Sequence, residues 1–201
     1  MSTCRRRWAQ GCLALCENRI DASLPDFARA HELLESTNHL TNHVVMSALS
    51  LVSAHILAGD PAAALEILDS RDWSASVWDS SPIIRAIALI DLDRASEAAD
   101  LVVGFGYEAL RGRLSRMAND ALVGFAALAI KRGEDDHAWS LLQQAASPKT
   151  PFTIGLSEGL GDRVGRGEEL REIHRGRQKP LKDLDASDHL RAELDRIRLT
   201  R

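Results

Sequence analysis

The sequence predicts an all-α protein built from antiparallel helical hairpins stacked on one another. The segment 121–146 carries apolar residues at helical spacing on both sides of a break at 132–135. Alanine and leucine dominate the composition, aromatic residues supply only 4% of it, and runs of β-branched residues are few. A hairpin as short as 121–146 cannot bury its apolar stripe alone, so it implies neighbouring hairpins stacked along it.

Length, charge and cysteine content limit the classes of protein to consider. A chain of 201 residues can bury one sizeable core or form a short repeat array, and its net charge of -4 argues against a generally basic nucleic-acid-binding surface. No apolar run approaches the length of a membrane span or of a signal-peptide core. Cys4, Cys12 and Cys16 form an odd set within one predicted helix. We expect free thiols and a cytoplasmic protein.

Capping residues and helix breakers place the individual helices. Pro25 suits the first position of a second helix, and the run 59–61 of Gly, Asp and Pro ends the third helix and begins the fourth. Gly133 is predicted to close a helix in a left-handed conformation, and Asp135 to cap the next helix through its carboxylate. Before the hairpin at 121–146, helices are predicted at 5–19, 25–36, 42–58, 62–70, 81–91 and 95–103, with a loop at 71–81 that carries Trp73 and Trp78 as packing anchors.

One pattern recurs in the second helix of each predicted hairpin. A small residue is followed one turn later by an aliphatic pair, as expected where two helices approach closely and a groove beside them is filled. The small residues are Ala30, Ala64, Ala98 and Ala138, at intervals of 34, 34 and 40 residues.

An interval of 34 is the tetratricopeptide period, and residues 5–147 resemble that repeat family. The resemblance implies a TPR-like α-solenoid, and it places the inner binding surface on Val123, Ala127, Ile130 and Lys131. The prolines at 148 and 151 oppose a continuous helix. We therefore divide the chain into a repeat domain at 1–147 and a helical extension at 148–201 that packs on or follows the repeats. In the extension, Leu190, Leu194 and Ile197 form the apolar stripe of the final helix.

Two glycine-rich motifs in the extension are similar to known functional motifs, one of hydrolases and one of dinucleotide-binding proteins. Gly155, Ser157 and Gly159 match the G-x-S-x-G pattern of hydrolases, with Asp185 and His189 following in hydrolase order. That serine must lie on a strained strand-to-helix turn, and the dinucleotide-like glycines of 159–165 likewise require a βαβ unit. The preceding residues are predicted to form helices, so neither motif has the strands that it needs. We therefore expect the glycines of 155–165 to form turns and helix contacts.

Metal and phosphate sites are weakly supported. His39 and His43 are the one histidine pair at ligand spacing on a helix, and two imidazoles make a weak metal site. The stretch 163–182 holds seven Lys or Arg residues against three Glu, which leaves nucleic-acid binding as an alternative to a solvated helix face. No G-x-x-x-x-G-K-[ST] phosphate loop occurs. We expect no cofactor and no metal.

The segments 122–146 and 153–165 resemble the helical-repeat region of large bacterial LuxR-type ATPase regulators. In that family an ATPase module is followed by repeats that receive a signal or a protein partner. The resemblance implies that this chain corresponds to the repeat region alone. The expected function is a non-enzymatic scaffold that binds a protein or peptide in transcriptional regulation, with a Ser157 hydrolase and nucleic-acid binding through 163–182 as the alternatives.

Overall fold

The computed structural model describes residues 3–36, 42–70, 80–112, 115–145, 151–176 and 187–200, and these residues form eleven α-helices and no strand. The all-α prediction is confirmed. The helices are α1 (Thr3–Cys16), α2 (Ile20–Glu35), α3 (Asn42–Leu57), α4 (Pro61–Asp69), α5 (Ser81–Asp91), α6 (Ala95–Gly112), α7 (Ser115–Lys131), α8 (Asp135–Ala145), α9 (Pro151–Arg163), α10 (Gly167–Gly176) and α11 (Ser187–Thr200). None of the helices in these ranges is long and apolar enough to cross a membrane.

Ten of these helices pair into five hairpins, α1–α2, α3–α4, α5–α6, α7–α8 and α9–α10, all joined by one type of turn. In each turn one residue takes a positive φ, between 56° and 80°. Its N–H donates to the carbonyl three residues back, and the next N–H donates to the carbonyl five residues back, at 2.8 to 3.1 Å. These bonds satisfy the last carbonyls of the first helix. The left-handed residues are Asn18, Gly59, Asp93, Gly133 and Gly165.

The turn chemistry confirms two predictions and corrects two others. Gly133 is left-handed at φ 75°, and the Asp60 carboxylate accepts a bond from the Ala63 N–H at 3.1 Å. Asp135, however, is the first helical residue of α8 rather than its cap. α2 begins at Ile20, before Pro25, because the turn at Asn18 already starts the helix.

The turns define which positions of the five hairpins are equivalent. Ser23, Ala64, Ala98, Ala138 and Leu170 each follow the left-handed residue by five positions and donate to the carbonyl four residues back. The three alanines are fully buried, as expected for the tightest contact in a hairpin. In α2, however, the equivalent residue is Ser23 and not Ala30. The turns are spaced 41, 34, 40 and 32 residues apart, so the hairpins are units of unequal length.

The array closes on itself. The first helices of the second to fifth hairpins contact one another in order, and α9 also contacts α3 and α1. In an open solenoid each repeat contacts only its neighbours. The fully buried side chains, such as Leu49, Ile84 and Leu122, therefore lie in a core that these first helices surround.

Glycines on α9 permit this closure. A Cβ on Gly155 would lie 2.9 Å from Leu15 Cδ2, and one on Gly159 would collide with Leu57. Leu156 and Leu170 belong to the same core as the earlier hairpins. The predicted domain boundary lies within 146–150, outside the described residues, and the division stays a prediction although helices on both sides of it share one core.

Candidate functional site

The predicted partner-binding residues lie on α7, which faces the core. Val123 and Ala127 are 2% and 1% exposed, and Ile130 packs against the core while partly buried. Lys131 is exposed and forms an ion pair with Asp93. A partner can therefore reach Lys131, but it cannot reach Val123 or Ala127 unless the core opens. The binding role of these four residues stays a prediction.

The serine of the hydrolase motif lies in the interior of a helix. Ser157 is 3% exposed in α9, and its hydroxyl donates to the Ile154 carbonyl at 2.9 Å. His189 is exposed on α11, which packs on α6 and α7, and Asp185 lies outside the described residues. The strained, exposed turn that activates such a serine is thus replaced by regular helix.

The glycines of 159–165 lie in α9 and its closing turn, so they do not form a phosphate-binding loop between a strand and a helix. His43 is exposed on α3, whereas His39, Trp73 and Trp78 lie outside the described residues. Within the described ranges, no group of three His, Cys, Asp or Glu side chains is arranged to hold a metal ion. The Trp139 ring packs under the Arg166 guanidinium at 4.1 Å, a stabilising cation–π contact.

The arginines of the basic stretch are already paired with carboxylates where the structure describes them. The ion pairs are Arg163 with Asp91 at 2.6 Å, Arg166 with Glu169 at 2.8 Å, Arg171 with Asp162 at 2.8 Å and Arg175 with Glu168 at 2.5 Å. Hydrogen bonds from Arg171 and Arg175 lower the pKa of Glu168, and the bond from Arg166 lowers that of Glu169. A nucleic-acid phosphate would have to displace these carboxylates.

An open groove of about 500 Å³ lies between the second and third hairpins, lined by α4, α5 and the start of α6. We call it the α4–α6 groove. Its apolar lining is Leu65, Leu89 and Leu101, of which the first two are buried and the third is partly buried. Charged side chains of both signs surround these leucines. They are Asp69, Arg85, Arg94, Glu97 and Asp100. An apolar centre with a polar rim is the usual composition of a protein interface.

Four of the rim charges form two ion pairs, Arg94 with Glu97 and Arg85 with Asp69. Arg94 donates two bonds of 2.7 Å to Glu97, which raise the pKa of Arg94 and lower that of Glu97. Arg85 lies 2.6 Å from Asp69. The Arg94 and Glu97 side chains are 49% and 58% exposed. Their ion pair can therefore break, and each side chain can pair with a charge of a partner, without leaving a buried ion unpaired.

A second cleft, of about 250 Å³, lies where α9 meets α1 and α3. Four of its charged side chains are already paired: Glu158 accepts a bond from His174 at 2.8 Å, Arg171 binds Asp162, and Arg163 binds Asp91. We regard this cleft as part of the closure of the array, since the contacts of Gly155 and Gly159 form its wall.

Sequence reasoning missed the α4–α6 groove. The sequence does repeat one pair of rim residues. An Arg stands one residue after the left-handed residue and a Glu four residues after it, first as Arg94 and Glu97 and again as Arg166 and Glu169. Comparison with known proteins adds nothing to this geometry, since no family model, curated protein or solved structure matches the chain.

Proposed function

We propose that this chain is a non-enzymatic, TPR-like helical-repeat scaffold that binds a protein or peptide partner in the α4–α6 groove. The observation that carries the proposal is the groove itself, in which three leucines lie at the centre of five charged side chains. In this proposal the protein works in the cytoplasm as a regulatory module related to the repeat region of LuxR-type regulators.

The shape and chemistry of the groove favour a polypeptide ligand. Its leucines lie on three successive helices, so a ligand must contact a surface that extends across two hairpins. The rim ion pairs offer hydrogen-bond donors and acceptors side by side, which suits a partner that carries charges of both signs.

The alternatives have less support. The hydrolase hypothesis depends on Ser157, whose hydroxyl donates a hydrogen bond to the Ile154 carbonyl of its own helix. The nucleic-acid reading depends on arginines that are paired with carboxylates in the described part of 163–182.

The proposal is tested by affinity capture from native lysate with matched variants of the full chain. Leu101→Asp places a charge at the apolar centre of the groove, whereas Leu13→Asp makes the same replacement on α1, where the side chain is 58% exposed. We expect one or more proteins to be captured by wild type and by Leu13→Asp, and to be lost from Leu101→Asp.

Circular dichroism shows whether both variants fold. If Leu101→Asp does not, Asp100→Arg changes an exposed rim charge instead. Identical capture by wild type and by a folded groove variant would refute the proposal.

A further inference from the structure

The structure contains its own example of a helix seated between two hairpins. α11 contacts α6 of the third hairpin and α7 of the fourth. Leu190, Leu194 and Ile197 are buried at 0%, 3% and 8% exposure. Gly106 on α6 faces α11, since a Cβ there would lie 3.4 Å from Leu190 Cδ1, at ordinary contact distance. An amphipathic helix with apolar residues at this spacing therefore fits the surface between neighbouring hairpins.

Two charged residues fix α11 at the turn of the fourth hairpin. Glu193 is 4% exposed and lies 2.9 Å from the His137 Nε2 atom. Arg196 lies 3.4 Å from the Glu134 carboxylate. Glu134 and His137 stand one and four residues after the left-handed Gly133. These positions of a hairpin therefore contact the charged residues of a docked helix.

The equivalent positions in the third hairpin belong to the rim of the α4–α6 groove. Arg94 and Glu97 stand one and four residues after the left-handed Asp93, and both line that groove. Arg94 thus takes the place of the acidic Glu134, and the acidic Glu97 takes the place of His137. The two grooves share one framework. At the first of these positions the charge is reversed, and at the second a hydrogen-bond donor to the docked helix is replaced by a carboxylate acceptor.

We propose that the α4–α6 groove binds an amphipathic helix of a partner protein whose charges are the reverse of those of α11. This inference rests on the proposed function and specifies the partner. The partner helix carries apolar residues at the spacing of Leu190, Leu194 and Ile197, a basic residue at the place of Glu193 and an acidic residue at the place of Arg196. The basic residue meets Glu97 and the acidic residue meets Arg94. Because α4 has 9 residues and α6 has 18, the groove supports fewer turns of the partner than α11 contains.

The test measures binding of two fluorescent peptides to the full chain by anisotropy. One peptide has the sequence of residues 187–200, and the other carries Glu193→Lys and Arg196→Glu. We expect the charge-reversed peptide to bind roughly tenfold more tightly, as expected for two ion pairs at an exposed rim. The chain variant with Arg94→Glu and Glu97→Arg should invert this preference.

The fifth hairpin supplies a matched control. Arg166 and Glu169 occupy the same two turn positions and form the same ion pair, so Arg166→Glu with Glu169→Arg makes an equal change of charge elsewhere. We expect this control to keep the wild-type preference. Equal binding of both peptides, binding of neither, or a preference that Arg94→Glu with Glu97→Arg leaves unchanged would overturn the inference.

The failure of this inference can be told apart from the failure of the proposed function. A protein that wild type captures and Leu101→Asp does not capture would leave the groove as a binding site with a different ligand pattern. If no such protein is found, the proposed function of the α4–α6 groove as a partner-binding site fails as well.

Discussion

Gly124 tests how closely the third and fourth hairpins pack. It lies in the middle of α7, where a Cβ would be 2.9 Å from Val102 Cγ2, 3.1 Å from Ile83 Cδ1 and 3.2 Å from Val102 Cγ1. Both γ carbons of Val102 are within reach, and a β-branched side chain in a helix has little freedom to rotate away. Gly124→Ala should therefore move a helix. Overpacking of this kind costs roughly 1 to 3 kcal/mol, and better helix propensity returns about 1 kcal/mol.

The expected net effect of Gly124→Ala is a loss of about 1 kcal/mol in the free energy of unfolding. Gly104 on α6 is the matched control, since it is helical and exposed with nothing within 4 Å of an added Cβ. Gly104→Ala should raise the free energy of unfolding by roughly 0.5 to 1 kcal/mol. Urea midpoints of the two variants decide the matter. If both substitutions stabilise the protein equally, α7 does not lie against Val102 and the described stacking is wrong.

Three further outcomes follow from the same structure. Ser157→Ala should leave any measured ester hydrolysis unchanged, and loss of turnover in a folded variant would restore the hydrolase alternative. Ala138→Leu should lower the free energy of unfolding by roughly 1 to 3 kcal/mol, whereas Ser140→Ala should change it by no more than about 0.5 kcal/mol; equal urea midpoints would contradict the tight contact at Ala138. Hydrogen bonds from Arg171 and Arg175 lower the pKa of Glu168 from 4.5, so its stabilising contribution is complete above pH 4.5 and is lost as the pH falls through the folded-state pKa. The urea midpoint of Glu168→Gln should consequently fall less on acidification than that of wild type, and parallel curves would show that the ion pair does not form.

Several helix ends and turns could be predicted from the sequence, because each depends on the residues within it. The Gly-Asp-Pro run at 59–61 and the glycine at 133 stop and start helices through their own backbone preferences. Asn18 and Asp93 take the same left-handed conformation as Gly59 and Gly133, but asparagine and aspartate adopt it only in context and give a weaker signal. The turn at Asn18 was for that reason missed, and Ala30 was aligned with Ala64 in place of Ser23, whereas the helices predicted at 81–91 and 95–103 did leave a turn at Asp93.

The long-range contacts of the structure could not be predicted from the sequence. Gly155 and Gly159 resemble a catalytic motif in sequence, whereas in the structure they let α9 approach Leu15 and Leu57. That closure depends on contacts between residues about a hundred or more positions apart, which no local pattern records. The inner surface was therefore predicted to be open, with the binding residues on α7 and not in the groove beside Arg94.

The central claim, that a partner protein binds in the α4–α6 groove, is tested most directly by site-specific photocrosslinking in cells. A benzophenone amino acid at Asp100 stands on the rim of the groove, and one at Glu172 stands on the exposed side of α10 as the control. The account predicts a covalent adduct with a specific protein from position 100 and none with that protein from position 172. The same adducts from both positions, or adducts from position 172 alone, would contradict it.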